Sequence, residues 1–560
     1  MSTTSRRYAA LAGVTAAAVA IGVAEPVAVL TGPRSAPLVA VGGVVVDAVP
    51  EPLKQFAIDV FGTADKIALL VGTAVLLGGF AALIGVLAAR RLAVGLAGIG
   101  ALGAVGVAAA LTRPGADLAD ALPSLVGGGL GALVLWLFIA GPFEMDPWPW
   151  TPPTPPEPTT SGPAPGLPTA SSANEDLHAP AAPTASPPSG GSPNPVGSER
   201  QEGVDPESRR RFLTGTGVLL GTAAVAGLGG RWLAGRRGVS AARDAIRLPA
   251  PAVPAAAVPA GADLSLAQLA PYVTPNFGFY RIDTALVVPQ VDPDTWRLRI
   301  HGRVGNERTY TYADLLARPL VERYVTLACV SNEVGGDLIG NARWLGVPLR
   351  ELLDEVEPDD DADQVVGRSV DGWTCGTPTA ALRDGRDALL AIGMNGEPLP
   401  VDHGFPARMV VPGLYGYVSA CKWVTELELT RFADFDAYWV PRGWSVEGPI
   451  KTQSRIDAPR RRNRPTAGPV TVAGVAWAQH RGIRRVEVRV DDGEWQEAEL
   501  APTVSVDTWV QWSWRWDATP GEHRLQVRAT DATGETQTER TQGVVPDGAT
   551  GWHTVPVLVR

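Results

Sequence analysis

The sequence has few cysteines and an acidic charge balance. Three widely spaced cysteines among 560 residues exclude a disulfide framework, a four-cysteine iron–sulfur site and a CxxCH haem attachment. The formal net charge of −10 argues against a general nucleic-acid-binding protein. No histidine lies in the apolar runs of the first 145 residues, so paired histidines do not hold a haem there. If the chain carries out redox chemistry, its cofactor is therefore expected in the later part of the chain.

Charged residues are also scarce in the first 145 residues, which are mostly Ala, Val, Leu and Gly. Because a membrane span needs about 20 apolar residues, the sequence predicts four spans, at 8–30, 67–89, 92–112 and 121–141. The apolar run 36–46 is too short to span and is predicted as part of a loop, or as an interfacial helix. Arginine pairs at 6–7 and 90–91 predict that the N-terminus and the second loop are cytoplasmic.

A Pro-, Ser- and Thr-rich stretch at 147–207 predicts a disordered linker. It is followed by Ser-Arg-Arg-Arg-Phe-Leu at 208–213 and by an apolar run to Gly230. This pattern resembles a twin-arginine export signal, and the alternative is a basic stop before a fifth helix. Twin-arginine export moves folded proteins, so the first interpretation places everything after residue 235 outside the cytoplasm. The helix is expected to remain as an anchor.

The chain is predicted to be multi-domain, with an α-helical membrane bundle, a mixed α+β domain and an all-β immunoglobulin-like sandwich. Strand patterns at 296–301 and 324–327 alternate with helix patterns at 312–317 and 349–356, whereas 468–560 shows only strands separated by turns. The predicted segments are 1–146 (four transmembrane helices), 147–207 (linker), 208–235 (twin-arginine motif and fifth helix), 236–262 (Pro/Ala-rich tether), 263–450 (α+β domain) and 451–560 (sandwich).

Two short segments carry residues suited to redox chemistry. Cys329 follows a strand in the string VTLAC and precedes a polar, Gly-containing loop, where reactive thiolates and soft metal ligands occur. A single cysteine is more often a small buried apolar residue. His403 and Arg408 lie five residues apart between Gly and Pro, an arrangement suited to holding an anion, and Lys422 follows. Together they suit an anionic cofactor on a soft metal.

These strings resemble the sulfite oxidase family of molybdopterin enzymes. The similar segments are NGEPLPVDHGFPARMVVPG, CKW, VTLAC and VPQVDPDTWRLRIHG, and GVAWAQHRGIRRVEVRVDDGEW is similar to that family's dimerisation domain. The resemblance covers about 265–560. It implies a molybdenum–molybdopterin cofactor, one per chain, and it allows a homodimer through the C-terminal domain. Nothing upstream resembles the family's haem domain.

The resemblance assigns roles to individual residues. It implies that Cys329 is the molybdenum ligand. The cofactor-binding residues that it implies are Tyr280, Arg281, Asp371, His403, Arg408, Ala420, Cys421 and Lys422. Arg281 is also matched, after a two-residue shift, to the substrate-binding arginine. Burial in the core is the expectation for Cys375, which has no match.

The departures from the family concern the substrate. An Arg-containing loop follows the cysteine in sulfite oxidases, whereas this chain has Val-Ser-Asn-Glu, and their active-site tyrosine falls near Trp444 here. Fewer cations bind a dianion such as sulfite less well. The resemblance therefore leaves three functions open, an oxygen-atom-transferring oxidoreductase acting on an oxyanion, a sulfoxide reductase of the same fold, and a non-catalytic surface protein.

No second redox centre is predicted, neither haem nor an iron–sulfur cluster. The electrons are therefore expected to pass to or from a separate carrier, either a c-type cytochrome or a quinone-linked membrane protein. The predicted location is the cell membrane, with the α+β domain and the sandwich on the extracytoplasmic side.

Overall fold

A computed structural model describes residues 3–49, 60, 65–113, 116–144, 206–236, 238–460 and 463–560. The chain divides into two compact units. One unit comprises Met1–Val23, Val75–Gly103 and Val126–Ala226, and the other comprises Ala24–Ala74, Ala104–Leu125 and Gly227–Arg560. Apart from its last two residues, the predicted linker at 147–207 lies outside the described residues.

Long apolar helices make up the N-terminal region, as predicted. They are α1 (Thr3–Thr31), α2 (Pro37–Ala48), α3 (Asp65–Ala88), α4 (Leu92–Leu111), α5 (Leu122–Ile139) and α6 (Pro206–Arg236). Within the described ranges, five helices are long and apolar enough to cross a membrane, and α2 is too short. Of the two alternatives for 36–46, a loop or an interfacial helix, the structure has a helix, which Pro37 begins with its φ already fixed for the first turn.

The mixed region has two five-stranded sheets. Its strands are β1 (Arg297–Gly302), β2 (Arg308–Thr311), β3 (Val321–Ala328), β4 (Ile339–Pro348), β5 (Gln364–Ser369), β6 (Thr374–Pro378), β7 (Leu389–Met394), β8 (Glu397–Pro398), β9 (Arg408–Val410) and β10 (Val424–Thr430). The short helix α7 (Ser240–Ala245) precedes β1. Four more short helices lie between the strands, α8 (Tyr312–Leu316), α9 (Leu349–Asp354), α10 (Thr379–Arg383) and α11 (Gly416–Ser419). One sheet has the order β2-β1-β10-β5-β6; the other is β3-β4-β7-β8, with β9 on β7.

The C-terminal region is a β-sandwich of two four-stranded sheets. One has the order β11-β12-β16-β15 and the other β14-β13-β17-β18. The strands are β11 (Gln453–Ala458), β12 (Gly468–Trp477), β13 (Ile483–Val490), β14 (Gln496–Glu497), β15 (Glu499–Leu500), β16 (Val510–Ala518), β17 (Gly521–Asp531) and β18 (His553–Val559). The segment from β14 to β15 divides between both sheets, because β14 pairs with β13 and β15 pairs with β16. Sequence reasoning did not identify β18. This strand contains Pro556 and lies at the edge of its sheet, where the lack of a proline N–H is tolerated.

The mixed region and the sandwich share a hydrophobic core. Trp477 and Trp509 of the sandwich belong to the same buried cluster as Leu298, Ile300 and Leu427 of the β1-β10 sheet. Because burial of apolar surface is the main favourable term in folding, the two regions stabilise each other. Ala328 at the end of β3 and Val330 belong to the same cluster, so the chain on both sides of Cys329 lies beside the sandwich.

Candidate functional site

Cys329 is the first residue after β3. Its N–H donates to the Leu338 carbonyl at 2.9 Å and so extends the β3–β4 ladder by one residue. The chain then turns, because Asn332 N donates to the Cys329 carbonyl at 3.1 Å and the Asn332 side-chain oxygen accepts from Leu338 N at 2.8 Å. We call Cys329 and residues 330–338 the thiol side of the site. It is ordered by backbone hydrogen bonds and by the Asn332 side chain.

The thiol side provides a buried, uncharged sulfur. Cys329 is 9% exposed and makes no disulfide bond. Burial raises the pKa of its thiol, and hydrogen bonds from Ser331 oppose that shift only in part. The sulfur is therefore protonated at neutral pH until a nearby positive centre displaces the proton, as metal ions do. Among the described residues, the buried Asn332 Nδ2 has no hydrogen-bond partner, so this loop also holds an unused donor.

The second group of functional residues converges around Gly404. This glycine has φ +111°, and a Cβ there would lie 3.0 Å from the Arg408 Cβ and 3.1 Å from the Lys422 Cβ. A side chain at this position would therefore be strained and would push the two cations apart. His403 ends the turn just before Gly404, and Arg408 begins β9 and donates to the His403 carbonyl at 3.1 Å. We call His403, Arg408 and Lys422, together with Arg281 and Asp283, the cationic side.

Asp283 joins two cations of this side. The Lys422 Nζ lies 2.7 Å from Asp283 Oδ2, and the Arg281 Nε lies 2.9 Å from the same oxygen. The Asp283 and Lys422 side chains are 4% and 9% exposed, whereas that of Arg281 is 36% exposed. A buried pair of this kind is costly to break, because the remaining charge stays buried without its partner. Asp283 therefore fixes the position of both cations.

Burial controls the protonation of the cationic side. It lowers the pKa of Lys422 to about 8 and outweighs the opposite effect of Asp283. Burial, reinforced by Arg408, lowers the pKa of His403 to about 4, so the imidazole is neutral at pH 7. Its Nε2 lies 3.3 Å from the Asn276 carbonyl, which places the proton on Nε2. Burial lowers the pKa of Arg408 to about 10, which still leaves the guanidinium charged.

Aromatic rings line the region around His403. Phe279 stacks on Tyr280 with centroids 5.2 Å apart and meets His403 edge-on at 5.6 Å. The Arg408 guanidinium lies 5.1 Å from the Trp344 ring centroid. Burial raises the pKa of Tyr280, and Cys329 and Arg408 both interact electrostatically with its hydroxyl. Tyr280 is therefore within electrostatic range of both sides.

The remaining predicted cofactor-binding residues are Ala420, Cys421 and Asp371. Ala420 and Cys421 adjoin Lys422 in the chain, and Cys421 is buried against Cys375 with the two thiols in hydrogen-bond contact. Asp371 is half-buried at the start of a turn, where it accepts from Trp373 N at 3.2 Å. It contributes to the electrostatics of Cys421. Cys375 is fully buried, as expected.

Trp444, at the position matched to the family's tyrosine, is buried against other aromatic side chains. Its ring centroid lies 5.9 Å from that of Tyr417 and 6.1 Å from that of Trp439. The position therefore carries an apolar ring that belongs to the core cluster.

Sequence reasoning missed Asp283, Asn276 and Asn332. Asp283 lies two residues after Arg281 in a string without periodicity, so no pattern marks it. Its role depends on Lys422, which is 139 residues away in the chain. The polar loop after Cys329 is a signal that could have directed attention to Asn332.

Comparisons with known proteins agree with this geometry. The family model for the oxidoreductase molybdopterin binding domain matches residues 285–439, and that for a bacterial Ig domain matches residues 453–527. Mitochondrial sulfite oxidase of Mus musculus is 32% identical over 287 residues, covering 44% of this chain and 52% of that protein. The chain thus spans about half the length of the curated sulfite oxidases that it matches.

Two further relatives extend the comparison. The uncharacterized oxidoreductase YuiH of Bacillus subtilis is 30% identical over 157 residues, covering 28% of this chain and 76% of that protein. The crystal structure of the sulfane dehydrogenase SoxCD from Paracoccus pantotrophus is 26% identical, covers 50% of this chain and 80% of that chain, and has a TM-score of 0.46. The chain belongs to the sulfite oxidase family of molybdopterin-binding oxidoreductases.

Proposed function

We propose that this protein is a membrane-anchored, extracytoplasmic oxidoreductase that transfers an oxygen atom and two electrons at a molybdenum bound by Cys329. The observation that carries the proposal is the pairing of a buried thiol with a separate cluster of buried cations. The first suits a soft metal, and the second suits the phosphate-bearing cofactor that the family binds.

The residues present fit such a cofactor. The described part of the chain offers no carboxylate within ion-pair distance of the buried Arg408 guanidinium, so an anionic ligand would supply its missing counter-charge. Asn332 Nδ2 is a second unused donor. The same described residues contain no cluster of three or more His, Cys, Asp or Glu side chains that could hold a metal. A metal on Cys329 would therefore take its other ligands from a non-protein group.

The thiol side and the cationic side have separate functions in this proposal. The bound cofactor supplies a metal that gains or loses two electrons and carries an oxygen atom. Arg408 and Lys422 bind anionic oxygens, and neutral His403 offers an imidazole nitrogen without adding charge. Cys329 provides the sulfur ligand, with its loop closed by Asn332. The reaction is X + H₂O → XO + 2H⁺ + 2e⁻, or the reverse.

A specific observation favours a second candidate, a sulfoxide reductase. In the thiol side, Glu333 and Asp337 are exposed and no Arg or Lys is present. A loop of this charge attracts a dianion poorly, whereas a neutral sulfoxide needs no counter-charge. We therefore expect a weakly charged oxide, rather than sulfite, as the better substrate.

Purification of the full chain from a host that makes the cofactor tests the proposal. We expect about one molybdenum per chain in the wild type. Reduced viologen with methionine sulfoxide, and sulfite with an artificial acceptor dye, distinguish the two reaction directions. Absence of both molybdenum and pterin from this preparation would refute the proposed function.

The membrane location rests on the five long apolar helices, and the outer location rests on the Arg-Arg-Arg motif before the last of them. Replacement of Arg209 and Arg210 by Lys should keep the α+β domain and the sandwich in the cytoplasm. Protease added outside spheroplasts should then no longer cut after residue 250. Unchanged cleavage in the variant would refute twin-arginine export.

The electron partner is proposed to be a separate protein, a c-type cytochrome or a quinone-linked membrane protein. The argument is the scarcity of cysteine and the lack of histidine in the apolar segments. The purified chain should turn over with an artificial dye and should need added membranes for its natural carrier. Stoichiometric haem or iron in the purified chain would contradict this proposal.

A further inference from the structure

The segment that carries Cys329 contacts the sandwich at both of its ends. At the first end, Thr326 is fully buried, and its N–H donates to the Asp507 carbonyl at 2.9 Å. Its carbonyl accepts from Gln479 Nε2 at 3.0 Å, and its hydroxyl accepts from Trp509 N at 2.9 Å. Asp507, Trp509 and Gln479 all belong to the sandwich. The last residues of β3 before Cys329 are therefore held to the sandwich by three hydrogen bonds through Thr326.

At the second end, Arg455 of β11 holds the loop after Cys329. Its Nη1 donates to the Gly336 carbonyl at 2.6 Å, and its Nε lies 2.6 Å from Asp457 Oδ1. The Arg455 and Asp457 side chains are each 10% exposed. Because the carboxylate balances its charge, the guanidinium is fixed in orientation and acts on the loop as a directed donor.

His553 of β18 packs against the same loop. A Cβ on Gly335 would lie 2.3 Å from both Cδ2 and Nε2 of His553, which leaves room only for glycine. Gly335 also has φ +80°, a conformation that favours glycine. The His553 Nδ1 accepts from Ile456 N at 3.0 Å, which fixes the ring. Burial lowers the pKa of His553 to about 4, so it is neutral at pH 7.

We propose that the sandwich is part of the catalytic apparatus, with Arg455 and His553 as positioning residues that hold the Cys329 loop through Gly336 and Gly335. Arg455 acts on the Gly336 carbonyl, and His553 packs against Gly335. Their effect is to limit the positions that the thiol can adopt, as supporting residues do for metal ligands elsewhere. The effect of these residues on catalysis rests on the proposed function. Their restraint of the Cys329 loop can be tested without a metal.

The test measures alkylation of cysteines by iodoacetamide in the cofactor-free full chain, read at each cysteine by peptide mass spectrometry. Arg455→Ala should speed alkylation of Cys329 by at least about fivefold, because local opening becomes easier. Arg455→Lys, which retains a donor, should restore part of the protection. The matched control is Arg489→Ala, which removes a sandwich arginine that stacks on Trp495 and should leave the rate unchanged.

Cys375 is fully buried and reports unfolding in the same sample. Gly335→Ala is a second variant, in which the added methyl group must displace the His553 ring. Selective acceleration at Cys329 in both variants supports the proposal. Equal acceleration at Cys375 in both, or no acceleration at Cys329, overturns it.

The loaded enzyme gives a separate readout. In Arg455→Ala the sulfur-to-molybdenum absorption band should shift and turnover should fall by about 10- to 100-fold, while molybdenum content changes less. An unshifted band overturns the positioning role even if turnover falls. Wild-type protein without molybdenum would refute the proposed function and leave the alkylation result to decide this inference.

Discussion

The cationic side and the thiol side of the site are built by different means. Lys422 and Asp283 form a buried ion pair beside Arg408, so the cationic side depends on charged side chains from distant parts of the chain. The thiol side is held by backbone hydrogen bonds and by the sandwich, and its own charged residues are acidic. Under the proposed function, this difference predicts that the cofactor and the substrate are recognised by separate parts of the site. Related enzymes can then retain the recognition of the cofactor while the recognition of the substrate changes.

The largest effect is expected from Cys329→Ser. A hydroxyl is a harder and far less acidic ligand than a thiol, so under the proposed function the metal would lose the sulfur ligand that Cys329 supplies. We expect turnover to fall by more than the 10- to 100-fold that loss of an outer partner costs, with pterin retained by the cationic side. Steady-state kinetics and pterin fluorescence measure the two quantities. Cys375→Ala is the control. An equal loss of turnover in that variant would show that the effect is not specific to the thiol side.

Lys422→Met should act on the cationic side alone. It removes the cation of the buried Asp283–Lys422 ion pair, so we expect a loss of about 3–5 kcal/mol in the free energy of unfolding. Pterin content should fall as well. Denaturant unfolding and pterin fluorescence provide the measurements.

Lys451→Met is the matched control for Lys422→Met, because Lys451 pairs with Asp547 in a more exposed position. There we expect a loss of about 1 kcal/mol or less. Equal losses in the two variants would show that the buried ion pair has no special importance.

The pH dependence of cofactor retention should also originate from the cationic side. With its pKa lowered to about 8, Lys422 loses its proton and its attraction for an anion as the pH rises through that value. His403 is neutral and Arg408 charged over the same range. Retention after gel filtration should therefore be constant from pH 6 to 7 and should fall above a pH of about 8.

Two variants sharpen this pH prediction. Asp283→Asn removes the carboxylate that raises the pKa of Lys422, so the fall in retention should move to lower pH. Lys422→Arg keeps its charge throughout and should abolish the fall. A midpoint that does not move in either variant would assign the pH dependence to another group.

The smallest effect is expected on the thiol side, from Glu333→Arg. This exposed position changes by two charge units close to Cys329, so the KM for sulfite should fall severalfold at low salt and less at high salt. Pterin content should remain the same, because no residue of the cationic side is altered. A change in pterin content without a change in KM would contradict separate recognition of cofactor and substrate.

Local patterns in the sequence were sufficient for the general architecture. Long apolar runs predicted the helices, and alternation in Val486–Val490 predicted a strand, because these signals depend on neighbours along the chain. They failed for β11, where polar side chains such as Gln453, Ser454 and Arg455 are buried. Burial of a polar side chain depends on partners elsewhere in the fold, which no local pattern contains.

The sequence by itself determined the residue types that the site has available, a cysteine after a strand, a histidine and an arginine five residues apart, and a lysine after them. Only the tertiary structure decided that Asp283 pairs with Lys422 and that Arg455 and His553 reach the loop after Cys329. The first two contacts join residues 139 and 119 positions apart, and His553 and Gly335 are separated by a still longer stretch of chain. They form only when packing brings the strands together, because the entropy of closing such long loops has to be offset by burial of the shared core.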